Sequence, residues 1–168
     1  MYEAERADFL RQYNAISRQL YHIALLVTGK PDLAVHAVEN AALECYRSLE
    51  KRPFSDLIYE YLWKACESCD PEWGYNYRRN LCEMYGIDID SYETHCPELI
   101  DALSKREPEE RLVLALMIFA KRSPEQIAPL FETRPAHVER ALKKICKSIH
   151  FNELSEGAPK FAELNLVH

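Results

Sequence analysis

Apolar residues recur at intervals of three and four along most of this chain, and prolines cut the recurrence into segments. Phe9, Tyr13, Ile16, Leu20, Ile23 and Val27 form a stripe that predicts a helix from about Ala4 to Thr28. Gly29-Lys30-Pro31 ends it. A second helix is expected from about Asp32 to Lys51, with Ala34, Val38, Ala41, Cys45 and Leu49 on its inner face. Arg52-Pro53 closes that helix, and a third runs from Ser55 to Cys69 with Leu57, Ile58, Tyr61, Leu62 and Ala65 apolar. Asp70-Pro71 stops the third, because proline disfavours helix in the residue before it. From Asp70 to Pro97 the period is lost and Trp73, Tyr75, Tyr77, Tyr85 and Tyr92 gather, so this stretch reads as a partly helical linker. Pro97 opens a fourth helix through Leu99, Ile100 and Leu103, and Pro108 a fifth through Leu112, Leu116 and Phe119. No alternating strand pattern persists. The expected class is all-α, with a three-helix lobe over residues 1–70, a linker over 71–97, a second helical lobe over 98–150 and a tail over 151–168. The tail has no strong period, and Phe161, Leu164 and Leu166 are its apolar residues.

The segment from Ser123 to Ile149 adds a motif to this pattern. Ser123 is a good N-cap, Pro124 suits the first helical position, and Gln126 falls where a capping box wants an amide. Ile127, Ala128 and Phe131 supply a short apolar face, Glu132-Thr133-Arg134 interrupts it, and Pro135 opens a second helix with Val138, Leu142, Ile145 and Ile149 at helical spacing. That is the outline of a helix-turn-helix. Pro129 lacks a backbone donor and is expected to kink or shorten the first helix. Glu132 stands where such a turn usually has glycine, and a left-handed residue with a side chain is strained there.

Charge gives this motif a destination. The chain carries a formal charge of −6 over 168 residues, yet Arg134, Arg140, Lys143, Lys144 and Lys147 face only one acid, Glu139, between Arg134 and His150. Local positive charge on an acidic protein suits a phosphate backbone; the plainer alternative is the solvated face of an ordinary C-terminal helix. Side chains near the start of a recognition helix meet base edges, which nominates Arg134, His137 and Arg140 as base readers and Lys143, Lys144 and Lys147 as phosphate contacts.

Composition narrows the remaining classes. Only 4 glycines, with 9 prolines spread along the chain, suit helices separated by short turns. No apolar run reaches the roughly 20 residues needed to span a bilayer, and the first residues, MYEAERADFL, are amphipathic and acidic, so a soluble cytoplasmic protein without a membrane partner is expected. Six cysteines fit a reduced compartment. Cys66 and Cys69, followed by Cys82 and the His95-Cys96 pair, have a spacing that can supply zinc ligands, but a single CxxC is a weak signal beside ordinary buried cysteines. Glycine-rich phosphate loops, nucleophile elbows and paired His-carboxylate motifs are missing from the sequence, so neither an enzyme nor a cofactor is expected.

Two stretches carry a family resemblance. Leu20 to Leu49, LYHIALLVTGKPDLAVHAVENAALECYRSL, resembles the start of region 2 of the small two-domain sigma factors of the extracytoplasmic-function type, where a helix ends in a Thr-Gly turn and the next docks on RNA polymerase. Ala102 to Ile149 resembles region 4 of the same family, through Leu103, Arg111, Leu112 and Leu114 to Ser123, Gln126-Ile127-Ala128, Val138 and Leu142. The resemblance implies core RNA polymerase and double-stranded promoter DNA as partners, and an anti-sigma factor that holds the two lobes. It implies that His36, Glu39, Asn40 and Leu43 bind polymerase, and that Tyr61 and Trp63 stack on the opened promoter strand.

The chain also departs from the family pattern. The polymerase-facing positions, usually Asp, then Gln-Glu and a bulky aromatic, read His36, Glu39-Asn40 and Ala42. The basic run after the third helix is replaced by Glu67-Ser68-Cys69-Asp70, whose carboxylates repel phosphate, and Arg78-Arg79 arrives later. Two functions follow: a sigma-like initiation factor, or a sigma-derived helical adaptor that binds proteins and does not open promoters. The plain reading of Tyr61 and Trp63 is packing.

Overall fold

In the computed structural model the described residues are 2–87 and 97–147, and their regular elements are all helices joined by turns, with no strand among them. The order is α1 (Tyr2–Thr28), α2 (Pro31–Arg47), α3 (Phe54–Glu67), α4 (Gly74–Met84), α5 (Glu98–Leu103), α6 (Pro108–Phe119), α7 (Pro124–Ile127), a 3-10 turn (Ala128–Phe131) and α8 (Pro135–Lys147). Tyr92, Cys96, Ile149 and the tail with Phe161, Leu164 and Leu166 lie outside the described residues. No described helix is long and apolar enough to cross a membrane.

The expected helices are present, with informative shifts at their ends. α2 stops at Arg47 rather than Lys51, because the chain turns at Ser48, whose hydroxyl meets the Tyr61 hydroxyl at 2.7 Å. The stretch read as a linker contains α4, which buries Tyr77, Leu81 and Cys82. α1 packs on α2 and α3 and also on α6. The helices before residue 70 and those after residue 97 therefore share one apolar core, built from Leu20, Ile23 and Leu26 of α1, Leu57 and Leu62 of α3, Leu81 of α4, and Leu112 and Leu116 of α6. Burial of this kind, at about 25 cal/mol per Å2 of apolar surface, is what holds short helices that are marginal alone.

The end of α1 is where the parts meet. The last carbonyls of a helix have no partner within it, and here each finds a donor elsewhere. Tyr77 Oη donates to Leu26 O at 2.5 Å, Arg111 Nη1 to Val27 O at 3.0 Å, the Glu72 amide to Thr28 O at 2.8 Å, and Asn80 Nδ2 to Gly29 O at 2.9 Å. Gly29 closes α1 at φ +71, and a Cβ there would lie 2.4 Å from Tyr77 Cδ2, so both backbone and space require glycine.

Arg111 is fully buried in the first turn of α6. Its Nε donates to Leu103 O at 2.8 Å, and its guanidinium carbon lies 4.2 Å from the Tyr77 ring centre and 4.7 Å from that of Trp73. Carbonyls at the ends of α1 and α5 and two aromatic faces thus take the place of a carboxylate. Burial acts to lower its pKa, against the opposing pull of Tyr77 and Glu107.

Candidate nucleic-acid interface

The helix-turn-helix is built by local chemistry. Ser123 and Gln126 form the reciprocal capping box: the Gln126 amide donates to Ser123 Oγ at 3.4 Å, and the Ser123 amide to Gln126 Oε1 at 2.9 Å. Pro129 shortens the first helix to one α turn, Pro124–Ile127, which tightens into the 3-10 turn. Glu132 then adopts the left-handed conformation, φ 51 and ψ 42, and turns the chain into α8. A non-glycine residue there costs about 1 kcal/mol or more. Lys121, at φ 55, is the other described non-glycine residue with positive φ and ends α6 in the same way.

α8 is strongly amphipathic. Val138 and Ile145 are buried and Leu142 is half-buried, packed towards α6 and α7. Arg134, His137, Arg140, Lys143, Lys144 and Lys147 are all exposed. At about 100° per residue, Arg140 and Lys147 point directly away from the buried stripe, with Lys143 to one side of them. His137, Arg140 and Lys144 line a cleft of about 420 Å3 on one flank, opposite Glu107, Glu109 and Glu110 at the start of α6. His137 Nε2 is 3.8 Å from Glu109 Oε1. The Lys144 carbonyl, in the last turn of α8, accepts from Arg106 Nη2 at 3.1 Å. The six nominated residues therefore divide: Lys143 and Lys147, with Arg134 ahead of them, face outward, His137 and Lys144 border carboxylates, and Arg140 faces outward at the rim of that same cleft.

No protein-family model matches this chain, and neither a curated protein nor a solved structure does.

The four residues aligned with polymerase docking, His36, Glu39, Asn40 and Leu43, are exposed together on the outer face of α2. Two residues that sequence reasoning missed extend that face: Val35 and Tyr46 are 44% and 41% exposed, unusual for large apolar side chains, and Leu43 is 48% exposed. Both fall outside the inner stripe of α2, the signal that marks them.

Tyr61 and Trp63 are placed in packing. Tyr61 is half-buried, hydroxyl on Ser48 and ring under Lys64 Nζ at 5.2 Å. Trp63 is half-buried with its ring edge-on to Phe131, centroids 5.2 Å apart.

Among the described residues no group of three His, Cys, Asp or Glu side chains converges as a metal site. Cys66 is buried and its thiol is pushed up to about 12, by burial and then by Cys69. Cys69 is half-buried and donates to the Ala65 carbonyl at 3.3 Å. Cys82 is buried on α4, and Cys96 lies outside the described residues.

Proposed function

We propose that this chain is a sigma-like transcription initiation factor whose α8 enters the major groove of promoter DNA while the outer face of α2 docks on core RNA polymerase. The observation that carries this reading is the outward basic face of α8, Arg134, Arg140, Lys143 and Lys147, presented by a helix-turn-helix on a chain of net charge −6. Such a face reads base edges at the helix start and neutralises phosphates along its length. The exposed apolar residues Val35, Leu43 and Tyr46 supply a protein-binding surface on α2.

The adaptor reading keeps the helices and the α2 surface but not promoter opening. The packing of Trp63 on Phe131 and of Tyr61 on Ser48, with Glu67 and Asp70 beyond them, favours it. Pull-down with bacterial core RNA polymerase followed by run-off transcription on fragmented genomic DNA separates the two. Binding with new specific transcripts is the expected result; binding without transcripts, or no binding, transfers the function to the adaptor.

A further inference from the structure

Two polar ties join the start of α6 and the turn before it to α8, one near each end of that helix. In the first turn of α8, His137 Nε2 lies 3.8 Å from Glu109 Oε1. In the last turn, the Lys144 carbonyl accepts from Arg106 Nη2 at 3.1 Å, where a cation also suits the negative end of the helix. Arg106 Nη1 is in turn 3.8 Å from Glu110 Oε2. His137 and Lys144 stand two turns apart on one flank of α8, about 10 Å along its axis.

Between the ties the two helices do not close on each other. The cleft of about 420 Å3 opens there, with Val113, Val138 and Ala141 among its lining residues. Apolar contact through Val138 and Ile145 holds α8 to the core but is weakly directional, so the ties at either end restrict its tilt and rotation. The frame to which they attach is itself fixed, because Arg111, on the same turn of α6 as Glu109, donates to Val27 O and Leu103 O in the core.

We propose that Arg106 and Glu109 are specificity-determining positioning residues. They set the angle at which α8 lies in the major groove, and so the reach of Arg134, His137 and Arg140 to base edges, without touching DNA themselves. Phosphate contacts by Lys143 and Lys147 tolerate a small change of angle, since a flexible lysine stem follows a backbone oxygen, whereas base-edge contacts hold only within a narrow geometry. Specificity and non-specific affinity therefore separate. This inference rests on α8 being the DNA-binding element.

The test uses a duplex enriched by the wild-type protein from a random-sequence pool and a scrambled duplex of the same length. Each is titrated over a salt series with wild type, Glu109→Gln and Arg106→Met, with thermal melting of each protein. An ion pair as exposed as Glu109 with His137 adds little to stability, so Glu109→Gln is expected to fold and alone decides if Arg106→Met does not melt cooperatively. The ratio of enriched to scrambled affinity should fall about five-fold or more in each variant, the discrimination of one good base contact, with the salt slope on the scrambled duplex unchanged. Charge alone acts differently: loss of the Glu109 carboxylate strengthens binding to both duplexes equally, and loss of a phosphate-contacting cation at Arg106 weakens both and reduces the slope by about one. An unchanged ratio in either folded variant, or a reduced slope in Arg106→Met, overturns the inference and leaves α8 as the DNA-binding element. Wild-type binding that enriches no sequence overturns it too, while absence of any binding by wild type overturns the DNA-binding reading and the inference with it.

Discussion

Arg111 on α6 donates a hydrogen bond to the Val27 carbonyl in the last turn of α1, across 84 residues of sequence. The same guanidinium reaches Leu103 O, so one cation closes two helix C-termini and ties α1, α5 and α6 together. A planar fork can serve both carbonyls and two aromatic faces at once; an ammonium cannot. Arg111→Met is expected to lower stability by about 3 kcal/mol, from two charge-assisted hydrogen bonds lost and the Val27 carbonyl left without its donor, while Leu103 O keeps the Arg106 amide. Arg111→Lys should recover less than half of that. Urea unfolding followed by circular dichroism measures both, and a loss below about 1 kcal/mol for Arg111→Met would show that the clamp is dispensable.

Gly29→Ala tests the junction from the other side. The substitution adds the left-handed cost of an L-residue to a clash with the Tyr77 ring, which itself holds Leu26 O. Destabilisation of more than about 1 kcal/mol is expected. Gly86, also at positive φ but with open space around it, is the control: Gly86→Ala should cost less, because only the backbone term remains. Equal melting temperatures for the two variants would contradict the close approach of Tyr77.

His22 makes stability depend on pH. It is buried on α1, Nδ1 3.2 Å from the Tyr85 hydroxyl and its ring stacked on Phe119, and burial followed by the charge of Arg18 lowers its pKa. Folded His22 resists a proton that the unfolded chain accepts below about pH 6.5. Its contribution is complete above that value and is lost as pH falls through the lower folded-state pKa. The melting temperature should therefore fall on acidification from pH 7.5 to 5.5, and His22→Asn should flatten that slope. An unchanged slope in the variant would assign the dependence to other groups.

These residues also mark how far the sequence could be read. Helix starts at Pro108, Pro124 and Pro135 were legible because proline and the apolar stripes act locally, and so were the Ser123 capping box, the shortening at Pro129 and the left-handed Glu132; Pro31, read as part of the turn before the second helix, is its first residue. The basic residues of α8 were legible as a group, but their division was not, since the carboxylates beside His137 belong to α6. Arg111 stood in an apolar run, RLVLALMIF, with no sign that its partners lie 8 and 84 residues away. α4 was hidden for a similar reason: its sequence is rich in polar and aromatic residues, and its burial comes from the end of α1. Packing at long sequence separation leaves no periodic trace.

The outward face of α8 makes the most direct demand. Anisotropy of a labelled duplex titrated with the protein between about 50 and 200 mM salt should give affinity that falls with salt, with a log–log slope of about −3 for three to four neutralised phosphates. Lys143→Ala and Lys147→Ala should each weaken binding to every sequence and reduce the slope by about one, whereas Arg140→Ala should mainly relax sequence preference. Affinity that does not respond to salt, or is untouched by the two lysine substitutions, would contradict the assignment of α8 as the DNA-binding element.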